Sequence, residues 1–369
     1  MKQAILRPYV WGLCFLILIV DAKTALAGAT EGTQLCLRAL IPSLFPFFVL
    51  SILLTSCITG QKIRLMSPIS RALGMRPGTE SLLLIGLLGG YPVGAQTVAQ
   101  AYETGALTKQ EAERLLGFCN NAGPAFLFGI VAVKFASTSA AWALWGIHIL
   151  SALITGMLLP RTTDITLTAM KRQGVTLNAA LQRAIKVTAT VCGWVVLFRV
   201  VIAFCGKWIY PYLPITAQVL LTGSLELANG CFDLGAIVPA GARFVVAAAI
   251  LGAGGLCVAM QTLSVTGTLG SGLYFPGKAM QTAISIFLAT VSQAFLFSRE
   301  QTMENMLIPI LISAFIAVSA FLWLKRRKKT VAFPKKMLYN HTKGTQEATL
   351  CSFASESRRT AATASMARR

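Results

Sequence analysis

Apolar stretches recur along the whole chain, near 4–20, 41–59, 81–100, 120–136, 140–159, 187–206, 213–225, 244–263, 279–297 and 306–324. Several approach the roughly 20 residues that an α-helix needs to cross a bilayer. Others are short or cut by Gly and Pro. The pattern predicts an all-α polytopic membrane protein of about 8–10 membrane segments, some of them broken helices or re-entrant hairpins.

The polar positions that interrupt this pattern concentrate in one stretch. Gly86-Leu-Leu-Gly-Gly-Tyr-Pro-Val-Gly-Ala-Gln96 breaks an apolar helix at mid-depth, and Cys119-Asn-Asn-Ala-Gly-Pro124 opens the next apolar run. An unpaired backbone or amide group in hydrocarbon costs several kcal/mol, so such breaks persist only where protein or a wet cavity surrounds them. They therefore mark a candidate binding site.

Taken in order, residues 1–24 read as a first membrane segment or signal anchor, with Lys2 and Arg7 before the apolar run and Ala25-Leu-Ala27 as a signal-cleavage motif. Residues 24–40 mix apolar and polar positions and predict an interfacial or partly inserted helix. Pro42 and Pro46 each remove a helical N–H. Two readings of 33–59 are open, a hairpin dipping into the membrane or a single kinked span starting at Pro42. A basic loop covers 60–78, and Thr108 with Glu111 predicts a capping box at the start of a surface helix. A second basic loop, 161–186, separates a first half, 25–160, from a second, 187–300. A last span at 301–324 and a basic tail at 325–369 complete the plan.

Composition agrees with a membrane setting: 55% of residues are hydrophobic, 12% are charged, and the mean hydropathy is +0.67. The formal net charge is +20, and half of it sits in 325–369, where twelve Lys/Arg face Glu347 and Glu356. Lys325-Arg-Arg-Lys-Lys329 directly follows an apolar run and reads as a cytoplasmic stop-transfer signal rather than a nucleic-acid patch. The rest of the tail is rich in Ser, Ala, Thr and Arg and predicts disorder. Positive-inside counting also places 161–186 in the cytoplasm; 60–78 joins it if 81–100 is re-entrant, but not if that segment crosses fully.

The nine cysteines are scattered singly with no Cys-x-x-Cys pair, which favours neither a disulfide framework nor a metal site. His148 falls within a span and reads as a packed interior residue. No phosphate-binding glycine loop followed by Lys-Ser/Thr and no Ser/His/Asp cluster is present. Neither an enzyme nor an ATP-driven pump is expected, and no cofactor or metal.

Gly89-Gly90-x-x-Val93-x-x-Gln96-Thr97 recurs as Gly254-Gly255-x-x-Val258-x-x-Gln261-Thr262, a short match that this composition also allows by chance. Paired interrupted segments in two halves of a membrane chain point to a transporter site at the repeat interface. Gln96 and Gln261 would hydrogen-bond a solute or each other's helices. Glu226 and Asn229 share a helical face in the apolar second half, beside Asp233. An ionisable group at membrane depth costs roughly 2.5–3.5 kcal/mol and marks function by default; the alternative is a lock between Glu226 and Arg199 or Arg243. Asn120 and Asn121 suit a helix N-cap ahead of Pro124, an arrangement that also offers free N–H groups to an anionic or carbonyl-bearing solute. Lys134 and Lys278 are expected to snorkel to an interface. The candidate solute-binding residues are thus Gly89, Gly90, Gln96, Asn120, Asn121, Gly123, Glu226, Asn229 and Gln261.

Gly89-Gly-Tyr-Pro-Val-Gly94, Tyr102-Glu-x-Gly105, Cys119-Asn-Asn-Ala-Gly-Pro124, Leu225-Glu-Leu-Ala-Asn-Gly230 and Pro42-Ser-Leu-Phe-Pro46 together resemble the sporulation integral membrane proteins of the nucleoside-recognition (Gate) domain group. Ala228 stands where that family usually has threonine, and it carries no hydroxyl. The resemblance covers roughly 25–300. It implies two Gate-like repeats, a fold similar to concentrative nucleoside transporters, and movement of dipicolinic acid in the mother-cell-derived forespore membrane of a bacterium. A nucleoside is the other solute such a pocket implies. The expected partners are a small-molecule solute, membrane lipid, a coupling ion and a homo-oligomeric copy, with no nucleic acid. A non-transporting membrane scaffold that docks through the basic tail is the competing function.

Overall fold

A computed structural model of the chain describes residues 2–135, 137–161 and 174–297, together with 313, 314 and 316. All of them belong to one compact unit, Met1–Ala320. The expected last span, 301–324, lies almost wholly outside the described residues, and the basic tail, 325–369, lies entirely outside them. The described residues are helical, with no strand among them.

The helices follow one another as α1 (Lys2–Val20), α2 (Ala22–Leu35), α3 (Ile41–Ile58), α4 (Ser67–Ala72), α5 (Glu80–Leu88), α6 (Val93–Glu103), α7 (Lys109–Leu116) and α8 (Pro124–Phe126). After them come α9 (Thr138–Leu158), α10 (Leu177–Trp208), α11 (Ile215–Leu225), α12 (Leu227–Asp233), α13 (Ala240–Ala253), α14 (Gly255–Thr266) and α15 (Tyr274–Leu296). Five helical stretches among the described residues are long and apolar enough to cross a membrane: Ala22–Ile58, Thr138–Leu158, Leu177–Trp208, Ala240–Leu269 and Tyr274–Leu296. Three shorter apolar helices, Pro8–Val20, Pro124–Lys134 and Ile215–Leu225, accompany them. The protein is an all-α, multi-pass integral membrane protein.

Three expectations from sequence are corrected by the structure. Residues 33–59 form no hairpin, and 24–40 is no separate interfacial helix; α2 and α3 join into one helix of 37 residues. The join is a π-helical turn, Cys36–Leu40, whose wider ring loosens the backbone just where Pro42 would clash with it. The Ser43 hydroxyl donates to the Ala39 carbonyl at 2.7 Å, satisfying a group near the proline site. The loop expected over 161–186 is also shorter, because α10 begins at Leu177 with Thr176 as its side-chain N-cap. Residues 162–173 of it lie outside the described residues. The Thr108–Glu111 capping box forms as expected at the start of α7.

Lipid tails are as apolar as leucine, so close packing and hydrogen bonds, rather than burial from water, hold such helices together. The long α2–α3 helix runs antiparallel to α10, as three contacts along its length show. Asp21 pairs with Lys207, Glu31 pairs with Arg199, and the Cys36 thiol donates to the Cys192 carbonyl. Gly28 and Gly32, four apart, let the backbones meet: a methyl group at either would lie 2.9 Å from an α10 Cα, of Val200 or Val196. Beyond this pair, α9, α13 and α15 pack together around Leu144, Phe244, Ala247, Leu251 and Ala289.

Candidate functional site

The first break is built as the glycines require. α5 ends at Leu88, Gly90 takes φ +76°, which only glycine adopts readily, the Tyr91–Pro92 peptide is cis, and α6 starts at Val93. Residues 118–123 run without helical structure through the crook between α5 and α6. A methyl group at Gly86 or Gly94 would fall 2.5 or 2.2 Å from the Cys119 carbonyl oxygen, so both must be glycine for the segment to seat there.

The two asparagines on that segment satisfy the polar groups that the break frees. The Asn120 Oδ1 accepts the Ala95 N–H in the first turn of α6 at 3.3 Å, and its Nδ2 donates to Thr262 Oγ1 on α14 at 2.8 Å. The Asn121 Nδ2 donates to the Gly86 carbonyl near the end of α5 at 3.1 Å and to the Phe118 carbonyl at 2.7 Å. Contrary to the expectation from sequence, neither side chain caps the helix at Pro124; its N-cap is Gly123, which makes no side-chain bond.

Behind Asn121 lies a buried polar cluster. Lys278 Nζ donates to Gln281 Oε1 at 2.8 Å and to Tyr91 Oη at 3.1 Å, and it lies 3.5 Å from Asn121 Oδ1. Gln281 Nε2 donates to the same Asn121 oxygen at 2.9 Å. His148 Nε2 accepts the Ala122 N–H at 3.1 Å, so this buried ring fixes the backbone between Asn121 and Gly123. The expected snorkelling of Lys278 is thus wrong: it is 4% exposed and bonded on three sides. Its partners lie far away in sequence, on the first break and the asparagine segment, so the apolar run around it carries no sign of them. Lys134 lies over the Phe232 ring at 4.0 Å.

In the second half, Glu226 separates α11 from α12 and caps the latter. Its carboxylate accepts N–H groups from Ala228 at 3.0 Å and Asn229 at 2.6 Å, and the Asn229 side-chain amide at 2.7 Å. The lock with Arg199 or Arg243 does not form among the described residues: Arg199 pairs with Glu31, and Arg243 donates to the carbonyls of Ile237 and Lys134. α12 turns back along α11, and Gly230 sits so close to Gly223 that a methyl group there would lie 2.2 Å from its Cα. α13 and α14 break at Gly254 and Gly255, with φ +75° and +79°.

The two breaks meet. A methyl group at Gly254 would lie 3.1 Å from Tyr91 Oη, and one at Gly255 would lie 2.7 Å from the Gly223 carbonyl. Between them and α3 opens a cavity with about 550 Å³ of empty space, walled by Gly89, Gly90, Tyr91, Gly123, Glu226 and Gln261 on one side and by Leu44 and Phe48 on the other. Five residues singled out from sequence therefore line one cavity: Gly89, Gly90, Gly123, Glu226 and Gln261. Asn120, Asn121 and Asn229 are buried directly behind its wall, holding the breaks in shape. Gln96 is apart from them, exposed, and lines a second cleft.

No family model matches the chain, and no solved structure matches it. A stretch of 142 residues, 38% of the chain, is 32% identical to the "Sporulation integral membrane protein YlbJ" of Bacillus subtilis (strain 168). The match spans 35% of that relative's length.

Proposed function

We propose that this chain is a transporter or facilitator that carries a small anionic or nucleoside-like solute across a bacterial membrane during spore formation. The observation that carries the reading is the meeting of two helix breaks at one cavity inside a membrane protein. A break costs backbone hydrogen bonds in a medium that cannot replace them, and a wet cavity offsets that cost. The partial match to a sporulation membrane protein supports the setting in spore formation.

The cavity offers few but directed polar groups. Gln261 presents an amide whose Nε2 donates to the Cys257 sulfur at 3.3 Å. Glu226 lines the wall as an acceptor for hydroxyl or N–H donors, while three hydrogen bonds from the start of α12 offset its charge. Glu226 occupies that helix start, so a solute anion is held elsewhere. The nearest basic group is Lys278, which reaches the cavity wall through Tyr91. A planar dicarboxylate such as dipicolinic acid, the solute that the sequence resemblance implies, fits this arrangement.

Purified full-length protein in liposomes tests the reading directly. Saturable uptake of a small aromatic dicarboxylate or of a nucleoside is expected. Folded protein that passes neither class would overturn it.

A further inference from the structure

The exposed Gln96 leads to a second feature. The cleft it lines has about 760 Å³ of empty space and is walled by α6 and by two helices that also wall the central cavity, α3 and α10. Along α3 the shared face changes character with depth. Leu40, Leu44 and Phe48 line the cavity, and Thr55 and Thr59 line the cleft. The residues at 44, 48, 55 and 59 follow helical spacing, so they form one stripe. α6 runs alongside, presenting Gln96, Gln100 and Thr104 at intervals of four. On α10, Val191 and Val195 line the cavity, and Arg183 lines the cleft and is the charged residue among those described there.

Between the two spaces lies a small apolar cluster: Phe48, Ile85, Val93 and Ala184, all buried, with Ile52 and Val187 packed against them. Phe48 faces the cavity and Val93 faces the cleft. The partition is therefore a layer of apolar side chains drawn from α3, α5, α6 and α10. An apolar constriction of this kind stops water and ions by dewetting, without blocking the path by backbone.

We propose that the polar cleft is the vestibule of the central cavity, that it draws anionic solute through Arg183, and that the Phe48–Val93–Ala184 layer is the gate between them. The anion preference rests on the transport reading above; the barrier does not. Hydroxyl and amide side chains in the vestibule replace part of a solute's hydration, and one arginine supplies the attraction. Among the described residues, no carboxylate lines the cleft to compete for it.

The test is labelling of single introduced cysteines in full-length protein held in lipid nanodiscs, with a charged, membrane-impermeant methanethiosulfonate as probe. Mass spectrometry of each modified peptide scores the site directly, with exposed Cys57 and buried Cys231 as internal references. T55C is expected to react, A228C on the cavity wall to stay protected, and A228C to become reactive when combined with F48A or V93A. Rapid reaction of A228C with Phe48 and Val93 intact would overturn the barrier. So would continued protection in both double variants while T55C still reacts in the same F48A and V93A backgrounds. Arg183→Gln is expected to lower dicarboxylate uptake on the order of tenfold at low salt and less at high salt; equal uptake at both would overturn the vestibule's role. A correct labelling pattern with no uptake of any solute would remove the transport reading and leave the barrier standing.

Discussion

Among single residues, Lys278 and Glu226 bear most on the site, and they work differently. Lys278 holds Tyr91, Asn121 and Gln281 together from the far side of the cavity wall. Lys278→Ala leaves buried acceptors without a donor, at about 1–3 kcal/mol for each orphaned group. A lowered unfolding temperature of the purified protein is expected, larger than for an exposed lysine such as Lys186→Ala. Glu226→Ala removes an N-cap, worth roughly 0.5–2 kcal/mol, and strips the cavity of its acceptor. Glu226→Gln keeps an oxygen for the cap, so it is expected to retain stability and lose uptake. Equal losses of stability in the two Glu226 variants would show a structural role only.

At the scale of elements, the glycines divide into those that permit a contact and those that do not. Gly94→Ala drives a methyl group into the Cys119 carbonyl and is expected to cost roughly 1–3 kcal/mol, because backbone must move. Gly146 on α9 has nothing within 4 Å, so Gly146→Ala is expected to be neutral or to stabilise by up to about 1 kcal/mol. Thermal unfolding in detergent separates the two. The antiparallel pair of α2–α3 with α10 carries a pH signature. Lys207, hydrogen-bonded to Asp21, holds that carboxyl below its ordinary value. A depressed carboxyl contributes stability above the unfolded value, about pH 4, and loses it as pH falls through the lower folded value. The difference in unfolding temperature between wild type and Asp21→Asn should therefore be present at pH 7 and shrink on acidification below pH about 4. A constant difference would contradict the assignment.

The first break was legible in the sequence, because Gly89-Gly90 beside Pro92 has no stable helical continuation in an apolar run; Gly254-Gly255, with no proline beside it, allowed either a break or a close helix crossing. The continuous helix through Pro42 was not legible: a π turn and one serine hydroxyl absorb what that proline disrupts, and neither leaves a pattern. The repeated Gln-Thr pair shows the same limit. In each copy the threonine bonds back to the valine four residues earlier, at 2.8 Å. Yet α14 is surrounded and buries Gln261, whereas α6 flanks a cleft and exposes Gln96. Identical local sequence took different surroundings, which only long-range packing decides. Lys278 escaped for that reason too.

For the molecule as a whole, the central claim is positional: a solute rests where the two helix breaks meet. A structure determined with saturating dicarboxylate or nucleoside tests it most directly. Solute density bounded by Tyr91, Gly123, Glu226 and Gln261 is expected, absent from the matched solute-free structure. Transported solute bound elsewhere in the protein, with that cavity unchanged, would contradict it.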